Sequence, residues 1–222
     1  MNDLRKQIQS LVNIFKSGNL LEAEVLAKKL IDKNDKIAFL YNLIGLIYIE
    51  LKKIDLAEEY YKKGIKVDPK FAELYNNLGL IYTHDKPDLE KAELYFEKSI
   101  SLNDKIPEPY NNLGFLYKSL DKNELALSCF NKSIEINANF FHSYHNIGTI
   151  YVQIGKFDEA KKNFLKAIEL NPNYTKSHRE VSRIINYTSQ EKHLIKLIEL
   201  YPKIKLDDIE NKANIGFALG KA

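Results

Sequence analysis

Apolar residues recur along most of the chain at the three- and four-residue spacing of amphipathic helices. The helical stretches are short and come in pairs, and polar connectors such as KSLDKN (118–123) and QIGKF (153–157) separate the two members. Pro69 and Pro172 lie between pairs, where a proline blocks the continuation of a helix. No stretch has the two-residue alternation of a strand, so the pattern predicts an all-α chain of helical hairpins.

One arrangement of aromatic, aliphatic and glycine residues occurs four times, with the glycines 34, 35 and 34 residues apart. In the first helix of each pair it takes the forms YNLIGLIY (41–48), YNNLGLIY (75–82), YNNLGFLY (110–117) and YHNIGTIY (144–151). The second helix adds a small residue and a third aromatic residue, namely Ala57 and Tyr61, Ala92 and Phe96, Ala126 and Phe130, and Ala160 and Phe164. Such a period predicts stacked units, each of which completes the core of its neighbour.

These positions resemble the tetratricopeptide repeat (TPR). The resemblance implies a right-handed TPR superhelix, which is an α-solenoid of antiparallel helix pairs, with a concave groove lined by the first helix of each repeat. We assign repeats to residues 38–71, 72–106, 107–140 and 141–174, the second of which carries one inserted residue. Residues 4–37 form a degenerate repeat, because Gly18 and Ala23 match Gly155 and Ala160. Residues 175–222 form a degenerate helical C-terminal part that could begin a missing domain.

The last ten residues, ANIGFALGKA, predict the first half of an amphipathic helix with Ile215, Ala218, Leu219 and Ala222 on one face. Nothing that follows in the sequence could cover this face. Leu219 and Gly220 match Leu78 and Gly79, so the chain stops one residue before the next aromatic position of the repeat. Two interpretations stay open: truncation of a longer protein, or a short native capping helix.

Composition narrows the classes of partner. The 222 residues include 33 basic and 30 acidic side chains, and this balance favours neither nucleic acid nor an anionic membrane. Cys129 is the single cysteine, which excludes an intrachain disulfide and a cysteine-rich zinc site. The N-terminus lacks the apolar core of a secretory signal and no window is apolar enough to span a membrane, so we expect a cytoplasmic protein.

Asparagines recur on the first helices, although asparagine is a poor residue for the middle of a helix. Asn77, Asn112 and Asn146 precede the aliphatic–glycine pairs, and the column before them holds Asn42, Asn76, Asn111 and His145. A ladder of amides could bind the backbone of an extended peptide whatever its sequence; it resembles the ladder in the repeats of O-linked N-acetylglucosamine transferases. The alternatives are that the asparagines tie one repeat to the next, or that they reflect a composition rich in lysine, asparagine and isoleucine.

Phe115 and Lys118 follow on the same face and could form pockets for the side chains of a peptide, although Phe115 could instead pack across the groove. Another use of this family, in which lysine, arginine and asparagine hold acidic chaperone tails, is disfavoured. Glu73 and Glu108 lie one turn before the asparagines and would repel such a tail.

The sequence offers no convincing catalytic residue, cofactor site or metal site. His142 and His145 could face one metal ion, but no third ligand lies at a matching position, and tandem groove positions explain the pair. We interpret Cys129 as a small core residue, and Glu58 and Glu59 as solvated carboxylates on charged faces. A phosphate-binding loop and a nucleophile elbow are both missing from the sequence.

The leading hypothesis is a non-catalytic interaction module that binds a protein or peptide partner in the groove. Residues 177–222, with SHREVSRIINYT, HLIKLIEL and NKANIGFALGKA, resemble the junction between repeats and enzyme in bacterial TPR–sulfotransferase proteins. The alternative is therefore the substrate-recruiting or regulatory region of a sulfotransferase. The phosphosulfate-binding loop of that family is missing here, so the activity cannot lie in these residues. Self-association through the end helices is compatible with either hypothesis.

Overall fold

A computed structural model of the chain describes residues 2–185, 192–205 and 207–221. In these ranges the chain forms thirteen α-helices and one short 3-10 helix, and it forms no strand, so the prediction of an all-α fold is confirmed. The α-helices are α1 Asn2–Lys16, α2 Leu20–Lys33, α3 Ala38–Glu50, α4 Ile54–Val67, α5 Ala72–His84, α6 Leu89–Leu102, α7 Pro107–Ser119, α8 Asn123–Ile136, α9 Phe141–Gln153, α10 Phe157–Leu170, α11 Thr175–Ile184, α12 Lys192–Leu200 and α13 Ile209–Lys221; the 3-10 helix is Tyr201–Lys203.

The chain divides into two compact units, Met1–Leu116 and Tyr117–Ala222. In the first unit, α3 packs most extensively on α4 and α5 on α6, while α2 and α4 also contact the first helix of the next pair. In the second unit, α9 packs on α10 in the same way, and α11 packs extensively on α13. Helices adjacent in sequence therefore form the hairpins that the repeat pattern predicts.

Four of the first helices end in the same backbone conformation. The second residue after the helix has a positive φ at Gly18 (84°), Lys52 (59°), Asp121 (56°) and Gly155 (76°). The next amide donates back by five residues, from Lys53 N to the Tyr48 carbonyl at 2.8 Å and equivalently in the other repeats. This left-handed ending satisfies the last carbonyls and reverses the chain into the second helix.

At Gly45, Gly79 and Gly148, the recurring glycine of the first helix lies directly under the third aromatic residue of the repeat. A Cβ added at Gly79 would lie 2.5 Å from Phe96 Cε1, and one added at Gly148 would lie 2.6 Å from Phe164 Cε1. Both aromatic rings are fully buried. The glycine and the aromatic residue recur together because the ring occupies the space of the missing side chain.

The apolar face of α13 is covered by preceding helices rather than by a following segment. Ile215 and Ala218 are fully buried and cluster with Leu197, while Leu219 packs against this cluster. Ala222, the fourth residue predicted on this face, lies outside the described residues. Among the described helices, none is both long enough and apolar enough to cross a membrane.

Candidate functional site

The asparagines of the first helices bond to one another across repeats. The Asn77 amide nitrogen donates to Asn42 Oδ1 at 2.8 Å, and the Asn112 amide nitrogen donates to Asn76 Oδ1 at 2.9 Å. Each bond joins the first helix of a repeat to the first helix of the preceding repeat. We call the two bonds the asparagine rungs; they are the ties that the alternative interpretation of the asparagines predicts.

The rungs do not use the full hydrogen-bonding capacity of the amides. A side-chain amide carries two N–H donors and an oxygen with two lone pairs. In this bond, Asn42 uses only its oxygen and Asn77 uses only its nitrogen. In the part of the chain that the structure describes, Asn42 Nδ2 and Asn77 Oδ1 have no further protein partner. A tie between repeats and a bond to a ligand can therefore coexist on the same side chains.

Three of the four asparagines of the rungs line a cavity of about 340 Å³, which we call the rung cavity. Its polar lining comprises Asn42, Asn76, Asn77, Glu73 and Glu108, and its apolar lining comprises Leu46, Ile106 and Pro109. Asn42 is buried, the other two amides are half-buried, and both carboxylates are exposed. Amides thus lie beside an apolar wall with carboxylates at the same opening.

Phe115 and Asn111 lie at a second, smaller cavity of about 170 Å³, which Asn112 and Leu80 also line. The Phe115 side chain is 37 % exposed, and its ring lies 6.0 Å from that of His84. The Asn111 amide nitrogen lies 3.5 Å from Asn112 Oδ1, at the outer limit of a hydrogen bond. Phe115 thus forms part of a cavity wall and keeps a solvent-accessible face.

In the second unit, the predicted residues are held mainly by contacts within the protein. Lys118 Nζ donates to Thr149 Oγ1 at 3.2 Å, and Thr149 Oγ1 donates to the Asn146 carbonyl at 2.7 Å. Burial lowers the pKa of the Lys118 ammonium below its usual value. The structure therefore places Lys118 and Asn146 next to the same threonine.

His145 is a packed, neutral imidazole at neutral pH. Its Nδ1 lies 2.9 Å from Ser177 Oγ, and its ring meets the Tyr174 ring edge-on with centroids 5.1 Å apart. Burial, followed by the nearby charge of Lys118, lowers the pKa of His145 to about 3. The His145–Ser177 pair joins the first helices of neighbouring pairs, as the asparagine rungs do in the first unit.

The interpretation of Glu58 as a solvated carboxylate is wrong. Glu58 is buried and accepts hydrogen bonds from Lys62, Lys86 and, at 2.7 Å, from the hydroxyl of Tyr82. Burial alone would raise the pKa of Glu58, but these hydrogen bonds outweigh it and lower the pKa to about 2. Its neighbour Glu59 is exposed and pairs with Lys63 at 2.6 Å, as expected for a surface position.

A second buried carboxylate repeats this arrangement 34 residues earlier. Glu24 accepts from Lys28 at 2.6 Å, from Lys53 at 2.9 Å and from Tyr48 OH at 3.2 Å. Hydrogen bonding to Lys28 is the main cause that lowers the pKa of Glu24 to about 2. The sequence signal was the recurrence of an Ala-Glu pair at 23–24 and 57–58, each followed 24 residues after the glutamate by a tyrosine.

The remaining candidate residues, Cys129 and His142, have structural roles. Burial raises the pKa of the Cys129 thiol to about 11, so almost none of the nucleophilic thiolate is present at neutral pH. His142 lies against the ring of Phe141, with centroids 3.9 Å apart. In the described ranges, no group of three histidine, cysteine or acidic side chains is placed to hold a metal ion.

Family models of the tetratricopeptide repeat match residues 38–71, 60–93, 107–140 and 141–174, which together make up more than half of the chain. The chain belongs to the tetratricopeptide repeat family. The matching models describe a repeat and not an enzyme. No curated protein matches the sequence. As a TPR protein, the chain is a scaffold for protein interactions.

Solved structures share the TPR fold. MamA is 27 % identical over 72 % of this chain and 93 % of its own, with a TM-score of 0.59. PilW, described as a widely conserved type IV pilus biogenesis factor, is 15 % identical over 97 % of this chain and 99 % of its own, with a TM-score of 0.76. YrrB, described as a TPR protein with an unusual peptide-binding site, is 22 % identical over 87 % of this chain and 96 % of its own, with a TM-score of 0.56.

Proposed function

We propose that this TPR chain is a non-catalytic interaction module whose first helices bind an extended segment of a partner protein. The observation that carries the proposal is the pair of unused amide atoms, Asn42 Nδ2 and Asn77 Oδ1, on side chains that line the rung cavity. One is a donor and the other is an acceptor. They match the carbonyl and the N–H that every residue of an extended peptide exposes.

The rung bond supports this proposal because it holds the two amides in a fixed orientation before a ligand arrives. Side chains ordered in advance lose less conformational entropy on binding than mobile ones. The cavity volume of about 340 Å³ suits the insertion of one side chain of the bound segment beside the amides. Recognition of the peptide backbone would then come from the amides, and preference for a side chain from the cavity.

The test compares the double variant Asn77→Ala/Asn112→Ala with the wild type. An array of randomised nonapeptides selects ligands of the wild type, and fluorescence anisotropy then measures the affinity of each protein for them. We expect an affinity loss of about tenfold, because each lost hydrogen bond contributes about 0.5–1.5 kcal/mol. The control Asn131→Ala/Asn163→Ala removes two amides from the second helices α8 and α10 and should leave the affinity unchanged.

The same variant lowers stability, since it breaks both asparagine rungs; we expect a loss of about 1–2 kcal/mol. Binding is therefore measured well below the onset of thermal unfolding, with far-ultraviolet circular dichroism as the check on folding. Lowered stability with unchanged affinity would assign the asparagines to tying the repeats alone. An array without any ligand for the wild type would reject the proposal.

A second candidate is the substrate-recruiting or regulatory region of a sulfotransferase, and only the sequence of residues 177–222 favours it. Residues 186–191, 206 and 222 of that segment lie outside the described residues. Reading the nucleotide sequence beyond codon 222 tests it. An in-frame continuation with a phosphosulfate-binding loop would establish this candidate, and a stop codon would weaken it.

Self-association through the end helices is compatible with both candidates. In the C-terminal part, Ile195, Ile198 and Ile209 are 49 %, 58 % and 78 % exposed, and such apolar side chains favour contact with another surface. Light scattering of the purified chain would detect a dimer as a doubled mass, and a monomeric mass at high concentration would reject self-association.

A further inference from the structure

The rung cavity has a pronounced charge asymmetry. Glu73 and Glu108 occupy the first turns of α5 and α7, 35 residues apart, and both line the cavity. No lysine, arginine or histidine belongs to its described lining. Neither carboxylate forms an ion pair with a described residue, whereas Glu24, Glu58 and Glu59 all do. The opening of the cavity therefore carries negative charge that the described part of the chain does not neutralise.

The apolar lining of the same cavity suits a long aliphatic stem. Leu46, Ile106 and Pro109 form this part of the wall. Lysine and arginine side chains combine an aliphatic stem with a cationic head, and they bury the stem on apolar surface while the head stays near water or a counter-charge. Since both carboxylates are exposed, a cationic head between them would keep part of its hydration.

A buried asparagine at the cavity offers a hydrogen-bond donor to a ligand. Asn42 is 8 % exposed and contributes to the cavity lining, and its Nδ2 has no hydrogen-bond partner among the described residues. A carbonyl oxygen of a bound peptide can accept a hydrogen bond from this donor. The cavity thus offers a donor for a peptide backbone and an acidic site for a side chain.

We propose that the rung cavity receives a lysine or arginine side chain of the bound segment, so that the partner presents a basic extended peptide. This inference rests on the proposed function of the first helices. The cationic head pairs with Glu73 and Glu108, the stem lies against Leu46 and Ile106, and a backbone carbonyl of the same peptide accepts from Asn42 Nδ2.

The test uses acetylated and amidated nonapeptide pools, randomised except for a central residue fixed as arginine, leucine or glutamate. The full chain should bind the arginine pool about fivefold more tightly than the leucine pool, and the glutamate pool most weakly; partly exposed ion pairs contribute a factor of this order. The variant Glu73→Gln/Glu108→Gln should lose the preference for arginine and keep its affinity for the leucine pool. The preference should also weaken as salt concentration rises.

The matched control is Glu90→Gln/Glu97→Gln, which changes the net charge equally at two exposed positions of α6 outside the cavity lining. It should retain the preference for arginine. Equal loss in both double variants would assign the preference to overall charge and reject the cavity as its source. Equal binding of the arginine and glutamate pools would reject this inference but leave the proposed function standing, and absence of binding to every pool would reject both.

Discussion

At the scale of single residues, Tyr61 is the exception in its repeat position. The equivalent residues Phe96, Phe130 and Phe164 have no hydroxyl, and Tyr61 is buried with 1 % of its surface exposed. In the described part of the chain, its hydroxyl has no hydrogen-bond partner. Burial raises the pKa of this hydroxyl well above its usual value. The tyrosine therefore buries a polar atom that the other repeats avoid.

We predict that Tyr61→Phe raises the free energy of unfolding by about 1 kcal/mol, because the substitution removes an unpaired polar atom without leaving a large cavity. Urea denaturation followed by circular dichroism measures this free energy of unfolding. The contrasting variant Tyr82→Phe should be destabilising, since that hydroxyl donates to Glu58 at 2.7 Å. A lower midpoint for Tyr61→Phe would show that its hydroxyl has a partner that the structure does not reveal.

Glu58 makes a pH-dependent contribution to stability. Its folded-state pKa of about 2 lies below its ordinary value of 4.5, so the folded state holds the carboxylate ionised. By linkage, the stability from this shift is complete above pH 4.5 and is lost as the pH falls toward 2. We predict that Glu58→Gln lowers stability by about 1–3 kcal/mol at pH 7, as expected when buried partners lose a charged acceptor.

Denaturation of the wild type and of Glu58→Gln between pH 7 and pH 3 measures this contribution. The difference in unfolding free energy should shrink as the pH falls below 4.5. The exposed variant Glu59→Gln serves as control and should stay close to the wild type throughout, because surface ion pairs contribute little. A difference that stays constant with pH would contradict the assignment of the shift to Glu58.

The misinterpretation of Glu58 shows where prediction from sequence fails at this scale. Glu58 and Glu59 are adjacent and chemically identical, yet they lie about 100° apart around α4, so one is buried and the other is exposed. Likewise, the sequence predicts which faces carry the asparagines. It cannot decide which amides bond, because pairs such as Asn42 and Asn77 meet only once the offset between helices of neighbouring repeats is known.

At the scale of helices, the turn within each hairpin offers a test. Lys52 adopts a φ of 59° at the position where Gly18 and Gly155 have φ values of 84° and 76°. Its side chain is exposed. A left-handed conformation is unfavourable for residues with a Cβ and is readily adopted by glycine.

We therefore predict that Lys52→Gly stabilises the chain by about 0.5–1 kcal/mol, because relief of backbone strain exceeds the added entropy of the unfolded state. Thermal unfolding followed by circular dichroism measures the effect. The reciprocal control is Gly155→Ala, which introduces the strain and should lower the midpoint. A destabilised Lys52→Gly variant would mean that the lysine side chain contributes more than its backbone conformation costs.

The helices themselves were predictable because each repeat restates the same pattern. The glycine at 79 and the ring at 96 recur together, and the packing of Phe96 over Gly79 gives the physical reason. The C-terminal part was less predictable. Its segment QEKHLIKLIELYP keeps no repeat register, and the structure forms only the short helix α12 and the 3-10 helix in its described residues. The sequence could not show that preceding helices cover Ile215 and Ala218, because this cover depends on tertiary packing.

At the scale of the whole molecule, the chain is a TPR scaffold for protein interactions. Three of its ionisable side chains that are withdrawn from solvent, Glu24, Glu58 and His145, have hydrogen-bond partners in the protein. At the rung cavity, unused amide donors and acceptors lie beside two carboxylates, Glu73 and Glu108, that form no ion pair with a described residue. Polar groups of this kind at a cavity are suited to binding the backbone of an extended peptide.

The most direct test of this account observes the asparagine side chains themselves. Side-chain amide signals in a two-dimensional ¹⁵N–¹H spectrum of the full chain are recorded during titration with a nonapeptide selected by the array. We predict that the signals of Asn42 and Asn77 shift with the occupancy of the peptide site, while those of Asn131 and Asn163 on the second helices stay in place. Shifts confined to the second helices, with Asn42 and Asn77 unmoved at saturation, would contradict it.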